Sequence, residues 1–172
     1  ANLSDLQELD IEDILVREVA EPDEDLLKAQ VSDRIVLVTG AGGSIGSEIC
    51  RQVLNRLPKI LLLLELSEYA LYTIHQELQL SIAKLYKRHK NNFLQPRIIP
   101  LLGSVQDERR LSQLMRTWKP EVIYHAAAYK HVPMVEHNLA EGVKNNVFGT
   151  LTVAKVAFEE GVANFVFIST DK

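Results

Sequence analysis

Cysteine is almost missing from this sequence: Cys50 is its one instance in 172 residues. An internal disulfide and any cysteine-based metal cluster are thereby excluded, and a reducing compartment fits. Long apolar runs are missing too. The longest, Ile60 to Leu64, is far below the roughly 20 residues a membrane helix needs. There is no excess of positive charge. The formal net charge is -4 and the pI about 5.8, so nucleic acid is not expected as a partner. The start, Ala1-Asn2-Leu3-Ser4-Asp5, lacks both a leader pattern and an initiator methionine, as a cut piece of a longer chain would. These absences predict a cytoplasmic piece that does not itself span a membrane. What is present is ordinary for a globular domain: 47% hydrophobic and 24% charged residues, in a length that suits one domain with a sizeable core. No repeat or low-complexity stretch interrupts it.

Residues 1–33 are acidic, contain no glycine and suggest short helical turns broken at Pro22-Asp23. They read equally as an arm packed outside a main domain or as a linker. From Arg34 to Lys172 a regular alternation runs. Strands are expected at Ile35–Val38, Lys59–Glu65, Arg97–Leu102, Glu121–His125 and Asn164–Ser169. Helices are expected at about Ile45–Arg56, Glu68–His89, Glu108–Thr117 and Ala140–Glu160, the second with Leu71, Ile74, Leu78, Ile82 and Leu85 on one face. Alternation with short loops predicts an α/β, Rossmann-type, doubly wound parallel sheet ordered 3-2-1-4-5.

Thr39-Gly40-Ala41-Gly42-Gly43-Ser44-Ile45-Gly46 joins the first strand to the first helix. A pyrophosphate needs free backbone N–H groups at a helix N-terminus and no side chain in the way. Gly40 suits the tight turn, Gly42 and Gly43 the phosphate approach, and Gly46 close helix packing. Gly43 is also expected to sit in a turn that a side chain would strain. Glu65 follows Gly46 by 19 positions at the end of the second strand. A carboxylate there takes both hydroxyls of an adenine ribose and repels a 2′-phosphate. With Leu66, Ser67 and Glu68 next to it and no arginine, NAD is favoured over NADP. The competing readings are a glycine turn without a ligand and a solvated strand-end acid.

Other polar residues invite blander explanations. His125, His131 and His137 come from a strand end, a loop and a helix start, with no carboxylate at ligand spacing, so no metal is expected. Lys84, Lys87, Arg88, His89 and Lys90 read as a solvated, dipole-compensating helix end. Trp118 is expected to pack the end of its helix.

Three stretches together are specific: the glycine turn continued by Ser47-Glu48, His125-Ala126-Ala127-Ala128-Tyr129-Lys130-His131-Val132-Pro133, and Ile168-Ser169-Thr170-Asp171-Lys172. They resemble extended short-chain dehydrogenases that act as UDP-N-acetylglucosamine 4,6-dehydratases in capsule and O-antigen synthesis. The likeness is strongest to the long, membrane-anchored capsular polysaccharide branch. It includes Leu9-Asp10-Ile11-Glu12-Asp13-Ile14-Leu15, which is similar to that branch's linker. The resemblance implies that membrane helices precede Ala1 in the natural protein and a sugar-binding lobe follows Lys172. It implies cofactor contacts at Gly40 through Ile45, at Ser104 and Val105 beside the adenine, along Ala126 to Ala128, and at Lys130 and Ser169. It makes a UDP-sugar the substrate and admits a homo-oligomer.

By the same resemblance Thr170, Asp171 and Lys172 are catalytic. The implied reaction oxidises C4 of a hexose, removes the C5 proton, expels the C6 hydroxyl as water and returns the hydride at C6. Lys172 is then the base at C5, Asp171 the acid for the C6 oxygen, and Thr170 the hydrogen-bond partner near the C4 oxygen. Such an acid and base side by side need separated pKa values. The likeness departs at Ser104, where many members carry Asp, which leaves the adenine to backbone and water. The family's tyrosine (or methionine) and following lysine fall beyond Lys172, so the fragment alone is expected to be inactive. Two other readings stay open: a nucleotide-sugar 4-epimerase, which needs no acid at C6, and a non-catalytic NAD-binding module.

Overall fold

The computed structural model describes residues 23–88 and 95–169. Most of the expected arm, the His89-Lys90 end of the basic run and Thr170-Asp171-Lys172 lie outside the described residues. Five parallel strands form one sheet: β1 (Ile35–Thr39), β2 (Ile60–Glu65), β3 (Arg97–Leu102), β4 (Val122–His125) and β5 (Asn164–Phe167). Their order is β3-β2-β1-β4-β5, as the alternation predicts. Val36 lies beside Leu61 and Val122, and Thr39 beside Leu64 and His125.

Successive strand residues point to opposite faces, and both faces are covered. Val36, Val38, Leu61 and Leu63 pack beneath α2 (Ser44–Asn55) and α3 (Glu68–Arg88), against Cys50, Leu54, Leu71, Ile74, Leu78 and Ile82. Leu37, Leu62, Leu64 and Ile123 pack on the other face. There they meet Leu111, Leu114 and Met115 of α4 (Glu108–Trp118) and Val153, Val156 and Ala157 of α7 (Thr150–Glu159). The inner strands β1, β2 and β4 are therefore nearly continuous buried runs, as sheets covered on both sides require, whereas the edge strands β3 and β5 are partly exposed. α1 (Glu24–Val31) starts at Asp23, whose carboxylate accepts from Leu26 N at 3.0 Å, and it contributes Val31 to the first core. Asp107 caps α4 in the same way through Arg110 N at 2.9 Å. Trp118 closes α4 half-buried, with the Arg97 guanidinium 5.9 Å from its ring centroid.

The stretch after β4 departs from expectation. His137 does not start a helix: it ends a short one, α5 (Val132–His137), with Pro133 in its first turn. Asn138, at φ -135°, breaks the chain there, and α6 (Leu139–Val143) begins beyond it. The expected single α-helix over 140–160 is α6, a π-helical turn at Lys144–Gly149 and then α7.

Candidate functional site

The chain leaves β1 to cross to one side of the sheet and leaves β4 to cross to the other. The crevice between their C-terminal ends is where ligands of such sheets bind. The loop from β1 is shaped by three glycines with different duties. Gly40 has φ 67°, and a Cβ on it would lie 2.7 Å from Ala127 Cα. A Cβ on Gly42 would lie 2.5 Å from that of Ala70 on α3. A Cβ on Gly46 would collide with the Gly40 carbonyl oxygen. Gly43 differs. Its φ of -72° suits any residue, and a Cβ there would meet only the Gly40 oxygen, at 3.3 Å. The expected strain at Gly43 is thus absent; the open space beside it belongs to the crevice.

Gly43 is the N-cap of α2 and gives it no side-chain cap. The first-turn N–H groups are left for an outside acceptor, at the positive end of the helix dipole. Two cavities meet at this point. One, of about 370 Å³, is lined by Gly40, Gly42, Glu65, Ser67, Ser104, Val105 and Asn145. The other, of about 410 Å³, is lined by Ser44, Ile45, Gly46, Lys130, His131, Met134 and Glu141. Gly43, Ala126, Ala128 and Tyr129 line both. The crevice is therefore bipartite, with the bare helix N-terminus at its middle. The bare helix N-terminus between the two cavities suits an anionic group such as a pyrophosphate.

Glu65 faces the first cavity but is already engaged. One oxygen accepts from Gly42 N at 3.0 Å; the other accepts from Leu66 N at 2.8 Å and Ser67 N at 3.0 Å. A carboxylate has about four acceptor sites, so one remains for a hydroxyl. Ser104 accepts from Gln106 N at 3.1 Å, which leaves its proton free to donate. Lys130 Nζ lies 3.4 Å from Ser44 Oγ across the second cavity. Ser169 follows Ile168, whose N–H donates to the His125 carbonyl at 3.0 Å, so the chain beyond β5 leaves at the same edge of the sheet.

His125 is buried and has a structural task. Thr39 Oγ1 lies 2.7 Å from Nδ1 and Thr150 Oγ1 lies 2.9 Å from Nε2. Thr150 spends its proton on the Asn146 carbonyl at 2.8 Å, so it accepts from Nε2–H, and Nδ1 accepts from Thr39. Burial pushes the imidazole down to about 4. Sequence reasoning missed Tyr129, Asn145, Asn146 and Thr150. A signal existed: two consecutive asparagines inside an expected helix oppose helix propensity. Among the described residues no cluster of His, Cys, Asp or Glu could hold a metal ion, and no helix is long and apolar enough to cross a membrane.

Comparison with known proteins shows the family and the fold. A profile of the polysaccharide biosynthesis protein family matches residues 36–172. The chain is 42% identical over 170 residues to the capsular polysaccharide biosynthesis protein CapD of Staphylococcus aureus, covering 99% of itself and 27% of that protein. It is 32% identical over 137 residues to a UDP-N-acetylglucosamine 4,6-dehydratase (inverting) of Campylobacter jejuni, covering 80% of itself and 36% of that enzyme. It thus spans between a quarter and two-fifths of these relatives. Its fold is that of the UDP-glucose 4-epimerase of Stenotrophomonas maltophila, solved with bound NAD and formylated UDP-arabinopyranose. The TM-score is 0.63 at 20% identity, over 80% of this chain and 37% of that one.

Proposed function

Because the chain belongs to the polysaccharide biosynthesis protein family, we propose that it is the NAD-binding part of a nucleotide-sugar 4,6-dehydratase whose substrate is UDP-N-acetylglucosamine. The observation that carries this reading is the bipartite crevice centred on the uncapped N-terminus of α2, with Glu65 at one end and Lys130 at the other. Bound there, NAD supplies the acceptor, and later the donor, of one hydride.

The chain's own residues supply position and charge. The first-turn N–H groups of α2 hold the pyrophosphate. Glu65 takes a ribose hydroxyl with its remaining acceptor site and disfavours a 2′-phosphate. Val105 packs against the adenine, with Ser104 as a donor beside it. Ala126 and Ala128 keep the wall of the crevice shallow, and Lys130 meets the second ribose or the substrate. Thr170, Asp171 and Lys172 follow Ser169 in sequence. In this reading Lys172 takes the C5 proton, Asp171 protonates the departing C6 oxygen and Thr170 hydrogen-bonds at the C4 oxygen. The reaction takes place in the cytoplasm, with the whole protein held at the inner face of the membrane.

The test is incubation of the full-length protein with NAD and UDP-N-acetylglucosamine, followed by mass spectrometry and NMR. A product lighter by one water is expected. A C4 epimer of unchanged mass would replace this reading with an epimerase, and no change would leave a binding module.

A further inference from the structure

We infer that Asn146 is a positioning residue for the cofactor, holding the segment Ala126–Lys130 in the shape that walls both cavities. The inference rests on the reading of the crevice as an NAD site. Asn146 lies in the π-helical turn, 17 positions from Tyr129, and makes a two-point pair with that residue's backbone. Its Oδ1 accepts from Tyr129 N at 2.8 Å, and its Nδ2 donates to Tyr129 O at 2.8 Å. The amide orientation is forced, because the backbone N–H can only donate and the carbonyl can only accept. A second donor, Asn145 Nδ2, reaches the same Oδ1 at 3.1 Å. Asn145 itself is buried against the cavity that holds Glu65 and Ser104.

The π turn makes this possible, since such turns insert a residue and re-aim the side chains around it. The turn is in turn fixed from behind. Thr150 donates to the Asn146 carbonyl, His125 to Thr150 and Thr39 to His125. Thr39 immediately precedes Gly40 and His125 immediately precedes Ala126. One chain of hydrogen bonds, buried at Thr39–His125 and part-buried beyond it, therefore links the glycine loop, the Ala126–Lys130 segment and the helix opposite. Tyr129 needs such a clamp: it follows the last sheet pairing of β4 and lies 45% exposed.

The test compares the wild-type chain with Asn146→Leu, which keeps the bulk and loses the pairing, and Asn146→Asp, which keeps the acceptor and loses the donor. Three quantities are read: NAD affinity by calorimetry, hydrogen exchange at the Tyr129 amide, and Tm. Asn146→Leu is expected to weaken NAD binding about tenfold or more, the scale of one to two lost hydrogen bonds. Exchange at Tyr129 should quicken by a similar factor while the amides of β1 and β2 stay protected. Asn146→Asp should keep the Tyr129 amide protected and bind NAD with intermediate affinity. Should Asn146→Leu fail to fold, Asn146→Ser takes its place with the same expectations. A folded variant with wild-type NAD affinity, or with unchanged exchange at Tyr129, overturns the inference. A wild-type chain that binds no NAD overturns the functional reading itself, and this inference with it, whereas wild-type binding with an indifferent Asn146 overturns the inference alone.

Discussion

Gly43 and Gly46 stand three positions apart and are glycine for opposite reasons. At Gly46 the protein itself fills the space, since a Cβ would collide with the Gly40 carbonyl oxygen. At Gly43 the backbone is ordinary and a Cβ would meet only the Gly40 oxygen, at 3.3 Å, beside the open crevice. The two therefore separate fold from binding. Gly46→Ala should destabilise the chain by about 1–3 kcal/mol, the usual scale of overpacking, read by urea denaturation. Gly43→Val should keep the wild-type unfolding midpoint within a few degrees and lose NAD binding in calorimetry; a folded Gly43→Val with intact affinity would mean the phosphates lie elsewhere. Glu65 combines both duties, because its carboxylate organises three backbone N–H groups and faces the first cavity. Glu65→Ser should narrow the preference for NAD over NADP and also cost about 1–2 kcal/mol of stability, as those N–H groups lose a charged acceptor near the surface. A variant that still discriminated against NADP as the wild type does would remove Glu65 from the specificity argument.

At the level of elements, the strands were legible because each is a short, mostly apolar run bounded by turns, and the inner three are buried on both faces. The glycine loop was legible because it lies between a strand and a helix. The region after β4 was not. Leu139, Val143, Val147 and Leu151 recur every four residues and continue the helical pattern, yet all four are exposed. Periodicity cannot register the π turn or the contacts distant in sequence that go with it: Gly149 beside Val105, and Asn146 on Tyr129. Nor does sequence spacing reveal that His125 joins β1 to this turn. That joint has a pH signature. The buried imidazole titrates at about 4, below its ordinary 6.5. The unfolded chain thus binds the proton first, so the stabilisation is complete above pH 6.5 and is lost as pH falls from 6.5 towards 4. Linkage puts the loss at about 3 kcal/mol. Urea titrations across this range should show that fall in the wild type. His125→Gln should be less stable at pH 7 and flatter by about that amount between pH 6.5 and 4; equal slopes in both proteins would mean the imidazole is not held neutral.

The whole chain spans 27% of CapD and 36% of the Campylobacter dehydratase, and its described residues build the bipartite crevice proposed as the NAD site. Binding and turnover should therefore come apart. Dehydration needs an acid and a base within hydrogen-bond reach of the C6 oxygen and the C5 proton while the sugar is held against the crevice. Misplacement by about 1 Å can lower a rate on the order of a hundredfold. The 172-residue chain is expected to bind NAD and to release no dehydrated product from UDP-N-acetylglucosamine, whereas a version extended to the length of these relatives is expected to turn it over. In that longer protein, on the proposed reading, the two steps divide between neighbouring side chains. Lys172→Ala should abolish exchange of the C5 proton with solvent deuterium, since the base is gone. Asp171→Asn should retain part of that exchange while losing elimination, since the carbanion can still form but the C6 oxygen receives no proton and does not leave as water. NMR in deuterated buffer reads both. Dehydration by the short chain at the longer protein's rate would place the complete site within these residues, and exchange surviving in Lys172→Ala would move the base to another group.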